Sequence, residues 1–275
     1  METICIYHAD CMDGAAAAAA VKHKYPEARL YPANHGEAPP PQVKDKRVFI
    51  VDFSYSAPLL EEIKKQAAEV NWYDHHKTAI PTKDKLGFGI IDLEESGATL
   101  TWKQLFPGTE VPKILQYVRD KDIWRWELPN SREISAAIRE IKDILNPNNA
   151  VWGTLLKGPP ESEWQMMIER GKNSRKLLSE RLGKTASRGF AVELDGVKGF
   201  AVNWSGDSSE LGEYIYQELG YPFALVFSYT GKEWSFSLRS KTIDVSEIAL
   251  RRGGGGHPGA AGFRSPTIEW LMPKK

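Results

Sequence analysis

The chain has 275 residues, 41% hydrophobic and 26% charged, and its 36 basic and 36 acidic side chains cancel. Zero net charge excludes a protein that coats nucleic acid by bulk charge, but leaves room for a small basic groove around a short phosphate-bearing ligand. Only two cysteines, Cys5 and Cys11, and an N-terminus without signal-peptide features exclude a disulfide scaffold and point to a soluble cytoplasmic protein.

Along the chain, short β-rich runs first alternate with helical stretches. Thr3 to Tyr7 predicts a buried strand, and Ala15 to Lys24 a helix built on alanine propensity. Its apolar run, Ala15 to Val21, is too short to span a bilayer. Arg29 to Asn34 predicts a second strand. Val48 to Asp52 is a continuous apolar run ending in an acid, as in a parallel strand covered on both faces. Ala57 to Ala68 predicts a helix with Pro58 in its first turn. Val70 to Tyr73 predicts the next strand, running into Asp74-His75-His76, and helices are expected at Ser96 to Leu105 and Pro112 to Arg119.

Gly158-Pro159-Pro160 breaks the pattern, and Glu161 to Lys184 reads as a long charged connector helix. Strands follow at Phe190 to Leu194, Gly199 to Asn203, Phe223 to Tyr229 and Glu233 to Arg239, with hairpin turns at Asp195-Gly196 and Thr230-Gly231. Helices are expected at Ser209 to Leu219 and Val245 to Leu250. Residues 1–157 thus read as a doubly wound, mostly parallel α/β domain, 158–188 as a helical linker and 189–275 as a smaller α+β domain.

In doubly wound sheets ligands bind beyond the carboxyl ends of the strands. His8, Asp10, Asp13, Asp52, Asp74 and His75 all fall at or just after such ends. Asp74-His75-His76 taken alone reads as an exposed polar turn, but His8-Ala9-Asp10-Cys11-Met12-Asp13-Gly14 adds an imidazole and two acids after another strand. One of those acids is explained by helix capping; the set is not. Asp52 follows a buried apolar run, where an acid is costly unless paired or bound to a metal. Asp120 and Asp122 add acids in a charge run that otherwise reads as a solvated surface. Carboxylates with imidazoles suit Mn²⁺, Fe²⁺ or Zn²⁺, and two such ions clamp a phosphoryl group. Near the C-terminus, Gly253 to Gly256 read as a backbone nest for an anion, with His257 beside it and Arg239 in reach of the same phosphate.

These motifs together resemble the DHH phosphoesterase superfamily over nearly the whole chain. Asp74-His75-His76 is similar to the motif that names the family, His8 to Gly14 to its first motif, and GGGGHPGAAG to the signature of its associated C-terminal domain. The resemblance implies a catalytic domain with two metals, usually Mn²⁺ (with Mg²⁺, Fe²⁺, Co²⁺ or Zn²⁺ as alternatives), and a C-terminal domain that grips substrate. It implies His8, Asp10, Asp13, Asp52, His75 and Asp122 as ligands, with Asp74 as ligand or orienting partner. It also implies substrate contacts from His76, Arg239, Ser240, His257 and the glycines Gly254, Gly255 and Gly256. Cys11 stands where many members carry an acid, and Asp10 is expected to compensate; Asp120 competes with Asp122. His76 and Asp74 are the expected catalytic pair.

The leading expectation is a metal-dependent phosphodiesterase of nanoRNase or oligoribonuclease type, cutting short oligonucleotides or linear dinucleotides, with Trp124, Trp126 and Trp204 available to stack bases. A phosphomonoesterase acting on 3′-phosphoadenosine phosphate, a non-catalytic nucleotide-binding regulator and a pyrophosphatase-like enzyme are the rivals. The partners expected are short RNA, DNA or nucleotide substrates and a second copy of the chain, with no membrane.

Overall fold

In the computed structural model, which describes residues 1–34, 36–40 and 42–271, strand β1 (Thr3–His8) lies between β2 (Arg29–Ala33) and β3 (Arg47–Val51), all parallel. β4 (Glu69–Asp74) and the short β5 (Ile90–Ile91) extend the parallel sheet in the order β2-β1-β3-β4-β5. Parallel strands require crossovers. Helix α1 (Met12–Lys24) follows β1, α2 (Ala57–Gln66) follows β3, and α3 (Ile80–Leu86) follows β4. The chain then runs through α4 (Gly97–Leu105), α5 (Lys113–Asp122), α6 (Ser131–Arg139), α7 (Val151–Lys157) and the long α8 (Glu161–Ala186).

The strand period of two decides which residues meet which helices. Ile4, Ile6, Val48, Ile50 and Trp72 form one buried face with Leu60 and Ile63 of α2. Cys5, Tyr7, Phe49, Val51 and Tyr73 form the other, with α1, α4 and α5. Each large aliphatic side chain buried here contributes about 1.5–3 kcal/mol. Both faces of the sheet are thus covered, which is why β3 reads as a continuous apolar run. Ala15 to Ala20 are all buried, because α1 is enclosed by the sheet and α4, where only small side chains permit close approach.

α8 crosses α6 so closely that a Cβ on Gly171 would lie 1.8 Å from the Glu133 carbonyl oxygen. The two compact units of the chain, Met1–Arg175 and Lys176–Lys275, therefore divide inside α8, whose first part belongs to the first unit. Gly153, by contrast, sits in α7 with open space where its Cβ would be. Gly153→Ala is expected to stabilise the protein by about 0.5–1 kcal/mol, read as a higher melting temperature, since alanine loses less backbone entropy in a helix.

The second unit adds β6 (Phe190–Leu194), β7 (Val197–Asn203), α9 (Ser208–Glu218), β8 (Ala224–Tyr229), β9 (Trp234–Arg239), α10 (Val245–Leu250), β10 (Gly255–His257) and β11 (Ala260–Ser265). Its sheet runs β10-β11-β9-β8-β7-β6, antiparallel except for β7 beside β8. Asp195 and Gly196, both at positive φ, make the tight β6–β7 hairpin. Phe223, Leu225, Phe236 and Leu238 pack with α10 on one face, and Val202, Ala224 and Val226 pack with α9 and Leu182 on the other. Residues 255–257 do not form the open nest expected of consecutive glycines. They pair as a strand, and side chains on Gly254 or Gly256 would collide with Gly262, Phe263 or Ala261. Among the described residues no helix is long and apolar enough to cross a membrane.

Candidate metal centre

The order of the sheet reverses between β1 and β3, and the crevice at their carboxyl ends is where such folds place ligands. His8 is the last residue of β1, Asp52 follows β3 directly, and Asp74 closes β4. Asp52 takes a left-handed φ of 54°, and its amide donates to the Tyr73 carbonyl at 2.9 Å as the chain leaves the sheet. His75 occupies the middle of the cluster. Its Nε2 lies 3.2 Å from Asp52 Oδ1, 3.2 Å from Asp122 Oδ2 and 3.8 Å from Asp13 Oδ2. His8 Nδ1 is 3.6 Å from Asp52 Oδ2.

Asp13 reaches this cluster from the first turn of α1 while anchoring another helix. Its carboxylate accepts from the Gly97 and Ala98 amides, at 2.5 and 3.0 Å, which are unsatisfied donors at the start of α4. Gly14 is needed beside it, since a Cβ there would lie 2.3 Å from the His8 carbonyl oxygen.

The electrostatics follow from crowding carboxylates out of water. Burial, then Asp52 and Asp122, push the Asp13 carboxyl well above its usual range. Asp122 is also raised, by burial and by Asp52, against the pull of His75. Burial opposes charge on Asp52 too, but the His75 and His8 rings beside it win and hold it below the usual carboxylate range. Burial works against a charged His75, yet Asp52, Asp13 and Asp122 outweigh it and push the imidazole up to about 10. A positive charge is therefore wanted at the centre of this site.

The residues fit a divalent metal. Asp52 is 1% exposed, and neither of its carboxylate oxygens has a hydrogen bond of sound geometry. Desolvating a carboxylate this far is costly unless a cation meets it. The potential ligand atoms of Asp13, His75 and Asp122 lie within 4.8 Å of one another, as do those of His8, Cys11 and Asp52.

Asp74, whose potential ligand atom also lies within 4.8 Å of those of Asp52, His75 and His76, is already hydrogen-bonded. It is fully buried, and its Oδ1 accepts from the His75 amide at 2.7 Å, the His76 amide at 3.2 Å and His76 Nδ1 at 2.6 Å, while Oδ2 accepts from Ser54. Saturated in this way, it fixes the His76 ring. Burial disfavours the His76 cation, but Asp74 and Asp52 more than offset this and raise its pKa. His76 stays partly open, at 35% exposure.

The geometry also places the two acids whose roles the sequence left in competition, Asp10 and Asp120. Asp10 is exposed, at a φ of 52°, and lines a surface cleft with Asn34, Asp143 and Asn146, apart from the metal-binding groups. Cys11, the residue before α1, lies in the cluster instead, after the left-handed turn at Asp10. Asp120 is committed elsewhere, accepting from the Glu127 and Leu128 amides at 2.9 and 3.2 Å, which leaves Asp122 facing His75. Gly97 is a residue that sequence reasoning missed. Its backbone passes so close to the site that a Cβ would lie 2.4 Å from Asp52 Cβ and 2.9 Å from Asp13 Oδ2. The signal available was Ser96-Gly97-Ala98-Thr99, a capping serine followed by small residues.

Residues 196–272 match the family model described as the DHHA1 domain. The C-terminal part of the chain thus carries a DHHA1 domain. The chain is 30% identical over 245 residues, 84% of its length, to the uncharacterised protein R106 of Acanthamoeba polyphaga mimivirus, and spans 56% of that protein. Its fold is similar to that of the pGpG-specific phosphodiesterase PggH from Vibrio cholerae, with a TM-score of 0.52 at 13% identity over 97% of this chain and 94% of that one. It is also similar to the exonuclease RecJ bound to manganese, with a TM-score of 0.50 at 16% identity over 95% of this chain and 85% of that one.

Within the DHHA1 unit, strand register aligns the expected substrate residues. Arg239 pairs with Ala260, which pairs with His257, so Arg239 and His257 share one face of the sheet with a methyl group between them. Arg239 donates to the hydroxyls of Ser208 and Ser209 at 3.0 and 3.1 Å, at the start of α9. Ser240 is buried instead. Its hydroxyl donates to the Pro222 carbonyl at 2.7 Å and accepts from the Thr242 and Ile243 amides, which ties the turn after β9.

Trp124 and Trp126 pack edge to face at 5.0 Å, both at left-handed φ, and Arg132 covers Trp126. Trp204 is likewise covered by Arg181. These rings are engaged by neighbouring cations on at least one side.

Proposed function

We propose that this chain is a metal-dependent phosphodiesterase that cuts short oligonucleotides or linear dinucleotides. The observation that carries this reading is the convergence of Asp13, Asp52, His75 and Asp122 at the strand switch point, with a buried Asp52 carboxylate lacking good hydrogen bonds. His8, Asp13, Asp52, His75 and Asp122 would hold the ions, with manganese favoured by imidazole and carboxylate donors. Bound divalent ions would supply Lewis acidity toward a phosphoryl group and a nucleophile at neutral pH.

The chain's own residues do the rest. His75, once its proton is displaced, is held among three carboxylates and orients with them. Asp74 fixes the His76 tautomer through Nδ1, leaving the other ring nitrogen to face substrate. Asp74 raises the His76 pKa, which favours the protonated ring as a proton donor to a phosphoryl or leaving oxygen. Arg239 and His257 form a phosphate-recognition face in the DHHA1 unit. Zero net charge supports a short substrate over a long polymer, and two free thiols accord with a reducing, cytoplasmic setting.

The test is a substrate panel with Mn²⁺, comparing kcat/KM for dinucleotides, longer RNA and DNA, cyclic dinucleotides and 3′-phosphoadenosine phosphate. Dinucleotides are expected to be cleaved best. Exclusive turnover of 3′-phosphoadenosine phosphate would replace the proposal with a phosphomonoesterase. Arg239→Ala is expected to raise KM about tenfold or more and lower kcat less, as loss of uniform binding does. An unchanged KM removes Arg239 from substrate recognition.

A further inference from the structure

The first motif of this chain brings a thiol to the cluster. Cys11 Sγ lies within 4.8 Å of ligand atoms of both His8 and Asp52. It precedes α1 in extended backbone, at φ −112° and ψ 136°, yet its side chain makes no capping hydrogen bond. Beside it stand the two Asp52 oxygens, deeply buried and without a hydrogen bond of sound geometry. Cys5, the other cysteine, is sealed in the sheet core, and neither cysteine is in a disulfide.

We propose that Cys11 is a metal ligand, its thiolate binding one ion together with His8 and Asp52. The inference rests on reading the cluster as a metal centre and deepens it by making the two halves chemically unequal. Asp13, His75 and Asp122 offer only oxygen and nitrogen. The half containing Cys11 is softer, and soft thiolate donors favour Zn²⁺, Fe²⁺ or Co²⁺ over Mn²⁺ or Mg²⁺. On binding, the S–H bond breaks, sulfur donates its electron pair to the ion, and the proton passes to buffer.

The experiment uses the full chain loaded with Zn²⁺ or Co²⁺, with metal content measured by elemental analysis. Zinc-edge X-ray absorption of the wild-type protein is expected to show a sulfur neighbour at about 2.3 Å. The Co²⁺ protein is expected to show a sulfur-to-cobalt charge-transfer band in the near ultraviolet, lost in Cys11→Ser while Cys5 remains. Cys11→Asp is expected to lower the ratio of Zn²⁺ to Mn²⁺ affinity at least tenfold. Metal bound with nitrogen and oxygen neighbours alone overturns the role of Cys11 and leaves the metal centre standing. Absence of bound metal overturns both. The wild-type absorption measurement decides the question even if a variant fails to fold.

Discussion

Replacing His75 with alanine is expected to abolish phosphoester hydrolysis with the fold retained, a loss of about a thousandfold or more, or about 4 kcal/mol of transition-state stabilisation. The size of the effect follows from position: the ring contacts Asp52 and Asp122 at 3.2 Å and approaches Asp13 at 3.8 Å, so its loss removes the group common to all three. Turnover at the wild-type level, with circular dichroism unchanged, would remove His75 from the centre. The same side chain makes the metal-free protein sensitive to pH. Its folded pKa of about 10 lies above the ordinary 6.5, so its contribution to stability is complete below about pH 6.5 and is lost as pH rises through 10. Calorimetry in EDTA should show the melting temperature falling across that window in the wild type. His75→Ala should melt lower at neutral pH and lack this component of the decline. A wild-type melting temperature that is constant from 6.5 to 10 would refute the electrostatic account.

Gly97→Ala is expected to be nearly as damaging, through one methyl group. A Cβ 2.4 Å from Asp52 Cβ cannot be accommodated without moving β3's exit or the start of α4. Moving α4 breaks the hydrogen bonds that the Gly97 and Ala98 amides donate to Asp13, so both carboxylates shift together. Overpacking costs about 1–3 kcal/mol of stability, and misplaced ligands lower metal affinity by about 10–100-fold. Thermal melts and metal titrations measure the two effects separately. Gly153→Ala is the matched control, since the same substitution meets open space there and is expected to stabilise. Normal metal affinity in Gly97→Ala would show that the site does not depend on this close approach.

The strands and the chemistry they deliver were legible because each depends on local pattern. A continuous apolar run before Asp52 marked a strand covered on both faces, and polar residues at the ends of β1, β3 and β4 marked the functional edge. The short helices α3, α6 and α7 lie where the sequence predicted none; α6 and α7 take their stability from packing into the shared core, through Ile134, Ile138, Trp152 and Leu155. The glycine run illustrates the opposite error. Four glycines suggested an anion nest, whereas pairing with β11 demands small residues at Gly254 and Gly256.

Sequence alone set out the candidate groups: imidazoles and carboxylates after parallel strands, and a C-terminal signature that matches the DHHA1 domain. Tertiary structure decided which of those residues meet. Asp10 and Cys11 are adjacent in sequence, Asp120 and Asp122 are separated by Lys121 alone, and no spacing rule chooses within either pair. A left-handed turn exposes Asp10 and brings Cys11 inward, and two backbone amides claim Asp120. Backbone direction and the need to satisfy buried hydrogen-bond donors made those choices, and both depend on contacts between residues far apart in the chain.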